Sequence, residues 1–388
     1  CRAALGPPFF PFSGYPKVTD HRLDVLKPVL AANRLDAMAF VPGSNFRRLF
    51  KRDFHLMERP LMVIVPARGE PVAIVPNLEM ASFSAIDFPG AIFDWRDETG
   101  YRDAFRKAGD ALSHLAGSKR FGLEAQRMRV FEQMALAEVF PATVFVDAHQ
   151  AISSIRLIKT ADEIALLKEA IRISEAALEA TLQEVRVGQS ETEIESILLR
   201  QLFAHGADGL SFEPIVAAGD NSAQPHAKAR PDYRIKEGDA LLIDFGASWR
   251  GYNADITRTF FVKQVSEFDR AFYETVLAAN ERGKAVTRAG ITASEVDDSV
   301  QKVLESSQFA QFARHKTGHG LGLDVHEAPQ IMRGNDTLLE QGMVFTVEPG
   351  LYRIGECGVR IEDDVVVTEN GMECLTSFPR ELRIVGTD

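Results

Sequence analysis

Asp244 sits inside the apolar run Leu241-Leu242-Ile243-Asp244-Phe245. An ionised carboxylate there is costly to bury unless it is hydrogen-bonded, neutralised or bound to a cation. The chain repeats the pattern. Asp255 opens a second strand-like segment, Asp255-Ile256-Thr257-Arg258-Thr259, and a turn around Trp249 to Asn253 makes a hairpin that would bring the two acids together. Glu348 follows Val344-Phe345-Thr346-Val347, and Glu362 interrupts the run from Val359 to Val367. Each acid has an ordinary reading when taken singly: Asp255 as a turn residue paired with Arg258, Glu362 as a core residue paired with Arg360. Four acids that interrupt apolar strands require a common source of compensating charge.

His319 lies in Thr317-Gly318-His319-Gly320-Leu321-Gly322, read as a glycine-rich loop in which backbone and ligand approach closely. The glycine spacing is not a dinucleotide fingerprint, and no strand precedes it. His326-Glu327 follows shortly after, and His226 comes shortly before the first acid-bearing strand, at a position suited to the rim of a site. Four carboxylates and one imidazole form a hard, oxygen-rich donor set that suits Mn²⁺ or Co²⁺ better than a thiolate-bound zinc. Two ions are implied, because four acids around one dication leave net negative charge. A pair of ions about 3.5 Å apart can share a water, lower its pKa and polarise a carbonyl, which is the chemistry of amide hydrolysis.

Composition removes several other functions. The 388 residues carry a formal net charge of -11 and no basic stripe, so nucleic-acid binding is a poor expectation. Charged residues or prolines break each apolar stretch, such as Leu61 to Val75, before it reaches the roughly 20 residues of a membrane-spanning helix. A soluble protein is expected. Three cysteines, Cys1, Cys357 and Cys374, form neither a disulfide framework nor a Cys-x-x-Cys site and fit a reducing compartment, with cytoplasm as the expected location. The chain opens at Cys1 rather than Met, so the true start is not visible.

The first 150 residues or so alternate short apolar runs, Met62 to Val65 and Pro71 to Val75, with helical stretches such as Glu132 to Val139, the pattern of a small α/β domain. Thr160-Ala161-Asp162-Glu163 is a capping-box sequence ahead of a long helical period. The boundary is expected between residues 152 and 153, giving domains 1–152 and 153–388. Within the second domain a shift of 102 positions lays Gly188-Gln189-Ser190-Glu191-Thr192-Glu193-Ile194 onto Gly290-Ile291-Thr292-Ala293-Ser294-Glu295-Val296. Each copy reads as helix, glycine stop, hydroxyl N-cap with Glu three residues on, and second helix, which suggests two half-domains of helix pair plus sheet.

The motifs Asn221-Ser222-Ala223 with Pro225-His226, Asp244-Phe245-Gly246, Asp255-Ile256-Thr257-Arg258-Thr259, Gly318-His319-Gly320, Val325-His326-Glu327, Val347-Glu348-Pro349-Gly350 and Arg360-Ile361-Glu362-Asp363 resemble the Xaa-Pro peptidase family of prolidases and proline aminopeptidases. The resemblance implies an α+β, pita-bread catalytic domain, with pseudo-twofold helix pairs packed on a curved antiparallel sheet, preceded by a smaller creatinase-like α/β domain. It implies that Asp255 and Glu362 bridge two divalent ions, Mn²⁺ first with Co²⁺ or Zn²⁺ as alternatives. Asp244 completes one ion, and His319 with Glu348 completes the other. The family mechanism is attack by a metal-bound hydroxide, with Glu348 handling the proton and His226 and His326 binding substrate and the tetrahedral intermediate. Arg360 orients a neighbouring carboxylate ligand. A homodimer and small proline-containing peptides are the implied partners.

In the first domain the resemblance is weaker. It runs through Phe54-His55-Leu56-Met57-Glu58-Arg59-Pro60 and makes His55 a further substrate-binding candidate. The basic run Arg47, Arg48, Lys51, Arg52 reads as a solvated face, with contact to a substrate carboxylate as the alternative. The expected reaction is hydrolysis of an Xaa-Pro dipeptide. The nearest rival is an aminopeptidase acting on longer peptides, and the remoter ones are a metal-free creatinase-like hydrolase and a non-catalytic binding module.

Overall fold

The computed structural model describes residues 21–117 and 119–386, so Cys1 lies outside the described residues. The chain divides into two compact units, Cys1–His149 and Gln150–Asp388.

The first unit is built on the apolar runs read from the sequence. Strands β1 (Ala37–Phe40), β2 (Met62–Pro66), β3 (Val72–Pro76) and β4 (Ala91–Trp95) are followed by helix α1 (Arg102–Ala111), β5 (Arg120–Leu123), α2 (Val130–Val139) and β6 (Val144–Asp147). They form one sheet in the order β4-β3-β2-β1-β5-β6. Pairs β1–β2 and β2–β3 are antiparallel and the rest parallel. Phe105 of α1 and Leu136 of α2 pack on Ile64, Ile74 and Phe121 of the sheet. Such side chains each contribute roughly 1.5–3 kcal/mol on full burial. His55 is exposed, in a segment of this unit without regular secondary structure, and Arg47 of the basic run is paired with Asp53.

The second unit begins with α3 (Ala161–Glu184) and α4 (Glu191–Ala204), then β7 (Ile215–Ala218), β8 (Ala240–Phe245) and β9 (Ile256–Val262). A second helix pair follows, α5 (Glu267–Val286) and α6 (Ala293–Glu305). Strands β10 (Gly318–Gly320), β11 (Glu327–Ile331), β12 (Val344–Val347), β13 (Gly350–Arg353), β14 (Cys357–Arg360), β15 (Asp363–Val367), β16 (Met372–Cys374) and β17 (Ile384–Val385) complete it. The internal shift has a physical counterpart. Ser190 at the start of α4 accepts from the Glu193 amide while Glu193 accepts from the Ser190 amide, and Thr292 with Glu295 does the same at α6. Gly188 and Gly290, which precede these caps, hold φ of 88° and 85°, a left-handed conformation that glycine adopts without strain.

The first helix pair covers β8 and β9, and the second covers β9 from Phe261 together with β13 and β14. Leu167, Leu178, Ile194 and Leu198 pack on Ile243, Phe245 and Ile256, while Phe272, Val276 and Val300 pack on Phe261, Leu351 and Val359. The strands form a four-stranded sheet, β17-β9-β8-β7, a five-stranded sheet, β11-β10-β12-β15-β16, and the hairpin β13-β14. Among the described residues no helix is long and apolar enough to cross a membrane.

Candidate metal centre

Antiparallel pairing of β8 and β9 sets Thr257 opposite Asp244, so the hairpin brings Asp255 close to Asp244. Glu348 stands one residue past β12, and Glu362 fills the break between β14 and β15. β12 and β15 pair with Val347 opposite Asp363, which draws these two acids together. His319 is the middle residue of β10 and not part of a glycine-rich loop. Its glycines serve strand packing: a Cβ at Gly318 would lie 1.9 Å from the Thr346 carbonyl oxygen, and one at Gly320 2.1 Å from that of Ala328.

Three groups of side chains converge with their ligand atoms within 4.8 Å of one another: Asp244, Asp255 and Glu362; His319, Glu348 and Glu362; and Asp255, His319 and His326. Nε2 of His319 is 3.3 Å from Glu348 Oε1 and 3.7 Å from Asp255 Oδ2. Nδ1 of His319 faces the Gly320 carbonyl oxygen at 3.2 Å. A carbonyl has no proton to give, so Nδ1 carries the hydrogen and Nε2 keeps its lone pair for a cation. Burial, and then His326, push the His319 pKa down to about 3. Burial followed by the neighbouring acids drives the carboxyls the other way: Glu348 rises to about 7, and Asp255 and Glu362 stand well above the usual carboxylate range.

The donor set fits divalent ions on a direct observation. Asp244 is 8% exposed, yet its Oδ1 has no hydrogen-bond partner. With Asp255 and Glu362 also buried beside it, only a cation or protons can compensate that much carboxylate.

Arg360 supplies one fixed positive charge, in a different place from the one the sequence suggests. Its Nη2 donates to Asp244 Oδ2 at 2.5 Å and not to Glu362. Glu362 is reached indirectly: Arg360 Nε donates to Thr257 Oγ1 at 3.1 Å, and that hydroxyl donates to Glu362 Oε2 at 2.6 Å. Nη1 donates to the Tyr352 hydroxyl at 2.7 Å, and Tyr352 lies 2.8 Å from Nε2 of His315. Because Nδ1 of His315 faces the Lys316 carbonyl oxygen, it holds the ring proton and Nε2 accepts from Tyr352. Every bond along this chain therefore has a defined direction. Arg258, the partner the sequence offers to Asp255, turns to the opposite side and binds Asp363 at 2.8 Å.

The four acids, His319, His315 and Arg360 line a cleft of about 860 Å³ that also presents His226, His326, Lys316 and Gln330. His226 and His326 are exposed on its wall, and the rings of His326 and His319 stand 4.1 Å apart. Thr257, Tyr352, His315, Lys316 and Gln330 are members of the site that sequence reasoning missed. One signal was available: Asp255, Thr257 and Thr259 alternate and so share one face of β9. His315 had none, since it precedes β10 and is placed by Tyr352.

Comparison with known proteins gives the lineage. The profile of metallopeptidase family M24 matches residues 165–369, and that of the creatinase/prolidase N-terminal domain matches residues 22–158. This chain belongs to metallopeptidase family M24. It is an enzyme of the Xaa-Pro peptidase lineage, with the pita-bread fold in its second domain. The Xaa-Pro dipeptidase of Pyrococcus horikoshii is 36% identical over 282 residues, covering 72% of this chain and 79% of that protein. Among solved structures, prolidase from Thermococcus sibiricus superposes with a TM-score of 0.88 at 32% identity, covering 96% of this chain and all of the other. X-Pro aminopeptidase from Thermotoga maritima gives 0.79 at 30% identity, covering 93% and 99%.

Proposed function

We propose that this M24 enzyme hydrolyses the Xaa-Pro bond of dipeptides, using two divalent ions held by Asp244, Asp255, His319, Glu348 and Glu362. The observation that carries the reading is the convergence of four acids and one neutral imidazole on a single cleft floor. The relatives named as Xaa-Pro dipeptidase and prolidase supply the proline preference. Asp255 and Glu362 each occur both in the group that holds Asp244 and in a group that holds His319, which supports a bridging role for these two carboxylates, whereas Asp244 belongs to one group. Mn²⁺ suits this oxygen-rich set, with Co²⁺ and Zn²⁺ as alternatives. When bound, such a pair lowers the pKa of water toward neutrality and polarises the scissile carbonyl.

The chain's own side chains do the rest. Glu348, at 16% side-chain exposure, is more open to the cleft than Asp255 at 6%. It takes the proton of the attacking water and returns it to the leaving proline nitrogen. His226 and His326, on the cleft wall, donate hydrogen bonds to the carbonyl oxygen as negative charge builds there. Arg360 keeps Asp244 aimed at the ions. His55, in the first unit, is a further substrate-binding candidate. The likeness to an X-Pro aminopeptidase supports removal of the N-terminal residue from longer peptides as the second reading.

The test is hydrolysis of alanyl-proline with Mn²⁺ present. Activity should vanish on exhaustive chelation, return with Mn²⁺ or Co²⁺, and be absent in Asp255→Asn, which should also fail to retain metal. Activity indifferent to chelation would refute the two-metal reading.

A further inference from the structure

The acid-lined floor of the cleft faces a cation on one wall. Lys316 lies two residues before β10, half-buried, and lines the cleft beside His319, His326 and Gln330. Its Nζ donates to Oε1 of Gln330. The amide of Gln330 can present only that oxygen, because its Nε2 is engaged by the Glu327 carbonyl oxygen at 2.9 Å. Gln330 is itself fixed by β-pairing, directly opposite His319. Among the described residues no carboxylate forms an ion pair with Lys316. An ammonium has three N–H groups, and the neutral amide accounts for one.

A half-buried ammonium with N–H groups to spare is well placed to bind an anion, because hydrogen bonds between opposite charges are stronger than those to a neutral amide. In the metal-loaded enzyme the floor acids are taken up by the ions, which leaves the cations on the cleft wall, Lys316 among them, to meet a substrate carboxylate. Lys316 is also close enough to the reacting groups for its charge to act on His326, His319 and Glu348. An Xaa-Pro dipeptide carries its free carboxylate on the residue just past the scissile bond. A longer peptide has a neutral amide at that point.

We propose that Lys316, steadied by Gln330, receives the free C-terminal carboxylate of the substrate and thereby selects dipeptides over longer peptides. This deepens the Xaa-Pro reading above and rests on it. Arg314, exposed on the same cleft, is the competing cation.

The test compares alanyl-proline with alanyl-prolinamide in the Mn²⁺-loaded enzyme, wild type against Lys316→Met, Lys316→Arg and Arg314→Met. Hydrogen bonds to a charged group correspond to roughly tenfold to hundredfold in affinity. Wild type should favour the acid by at least about tenfold, mainly in KM. Lys316→Met should erase that preference, Lys316→Arg should restore much of it, and Arg314→Met should keep it. Gln330→Glu, which sets a carboxylate against Lys316, should erase it as Lys316→Met does. Discrimination that survives in Lys316→Met, or that disappears in Arg314→Met alone, overturns the assignment. A binding measurement separates this from failure of the hydrolytic reading: calorimetry of proline against prolinamide needs no turnover. If wild type binds both equally, Lys316 does not read the carboxylate; if proline binds selectively through Lys316 while neither peptide is cleaved, only the hydrolytic reading falls.

Discussion

Arg360 and Asp244 are joined by a 2.5 Å bond from Nη2 to Oδ2, both side chains buried, and the second carboxylate oxygen of Asp244 has no protein partner. One oxygen is thus fixed by a guanidinium and the other is left for a cation. The same guanidinium reaches Glu362 through Thr257, so a single side chain orients two carboxylates, one on β8 and one in the break between β14 and β15.

Replacing Arg360 should therefore disturb both acids at once. Loss of a group that holds a metal ligand typically costs about 10–100-fold in metal affinity or activity. Arg360→Ala should lose at least that much of both, with Arg360→Lys recovering little, because a lysine cannot serve Asp244, Thr257 and Tyr352 together. Metal content by elemental analysis, with Mn²⁺ titration by calorimetry, reads the outcome. A variant that binds Mn²⁺ as wild type does would remove Arg360 from the ligand framework.

Metal uptake should expel protons, and the acids should be their source. In the metal-free protein burial lifts Glu348 to about 7 and holds Asp255 and Glu362 well above the usual carboxylate range, whereas His319, at about 3, is already neutral. The carboxyls bind more protons as pH falls and must release them to bind cations, so affinity should weaken as pH drops below about 7. Titrations at pH 6.5 in buffers of different ionisation enthalpy should show net proton release per chain, reduced in Glu348→Gln. Release of none would contradict the buried-acid description.

Much of this centre is legible in the order of residues alone. The interrupted apolar runs around Asp244 and Glu362 announce a charge that needs compensation, because an acid in a strand leaves a one-letter signature. The capping boxes at Ser190 and Thr292 are equally local, being set by residues three apart. What the chain does not spell out is pairing across sequence distance. That Arg360 would choose Asp244 over the nearby Glu362 depends on the register of β8, β9 and β14, and that His315 joins the network depends on Tyr352, 37 residues on. The glycines about His319 are visible but easily misread, since close strand approach and loop freedom leave the same residue in the sequence.

The strand role of those glycines gives a prediction of its own. A Cβ at Gly320 would sit 2.1 Å from a backbone oxygen, which cannot swing away as a side chain can. Gly320→Ala should force β10 from β11, destabilise the protein by roughly 1–3 kcal/mol and weaken metal binding by displacing His319. Gly209, where an added Cβ meets nothing within 4 Å, supplies the control. If Gly209→Ala and Gly320→Ala melt alike and bind Mn²⁺ alike, strand contact does not explain the glycine.

Next to Glu362, a proposed metal ligand, Asp363 holds a cluster whose purpose is structural. Its carboxylate is fully buried and accepts from Arg258 at 2.8 Å, Lys284 at 2.9 Å and Arg380 at 2.5 Å. Burial opposes its charge, but the three cations outweigh it and hold its pKa down to about 2. Asp363→Asn leaves those cations without their common anion, which should cost about 3–5 kcal/mol in urea unfolding. The sign of the pH dependence follows from the lowered value. The stabilisation is complete above the unfolded carboxyl pKa of about 3.9 and is lost as pH falls through about 2. The gap between wild type and Asp363→Asn should accordingly be constant from pH 7 to 5 and narrow as pH drops below 4. A gap that widens there, or a variant as stable as wild type at pH 7, would show that the cluster does not hold β15 in place beside the metal centre.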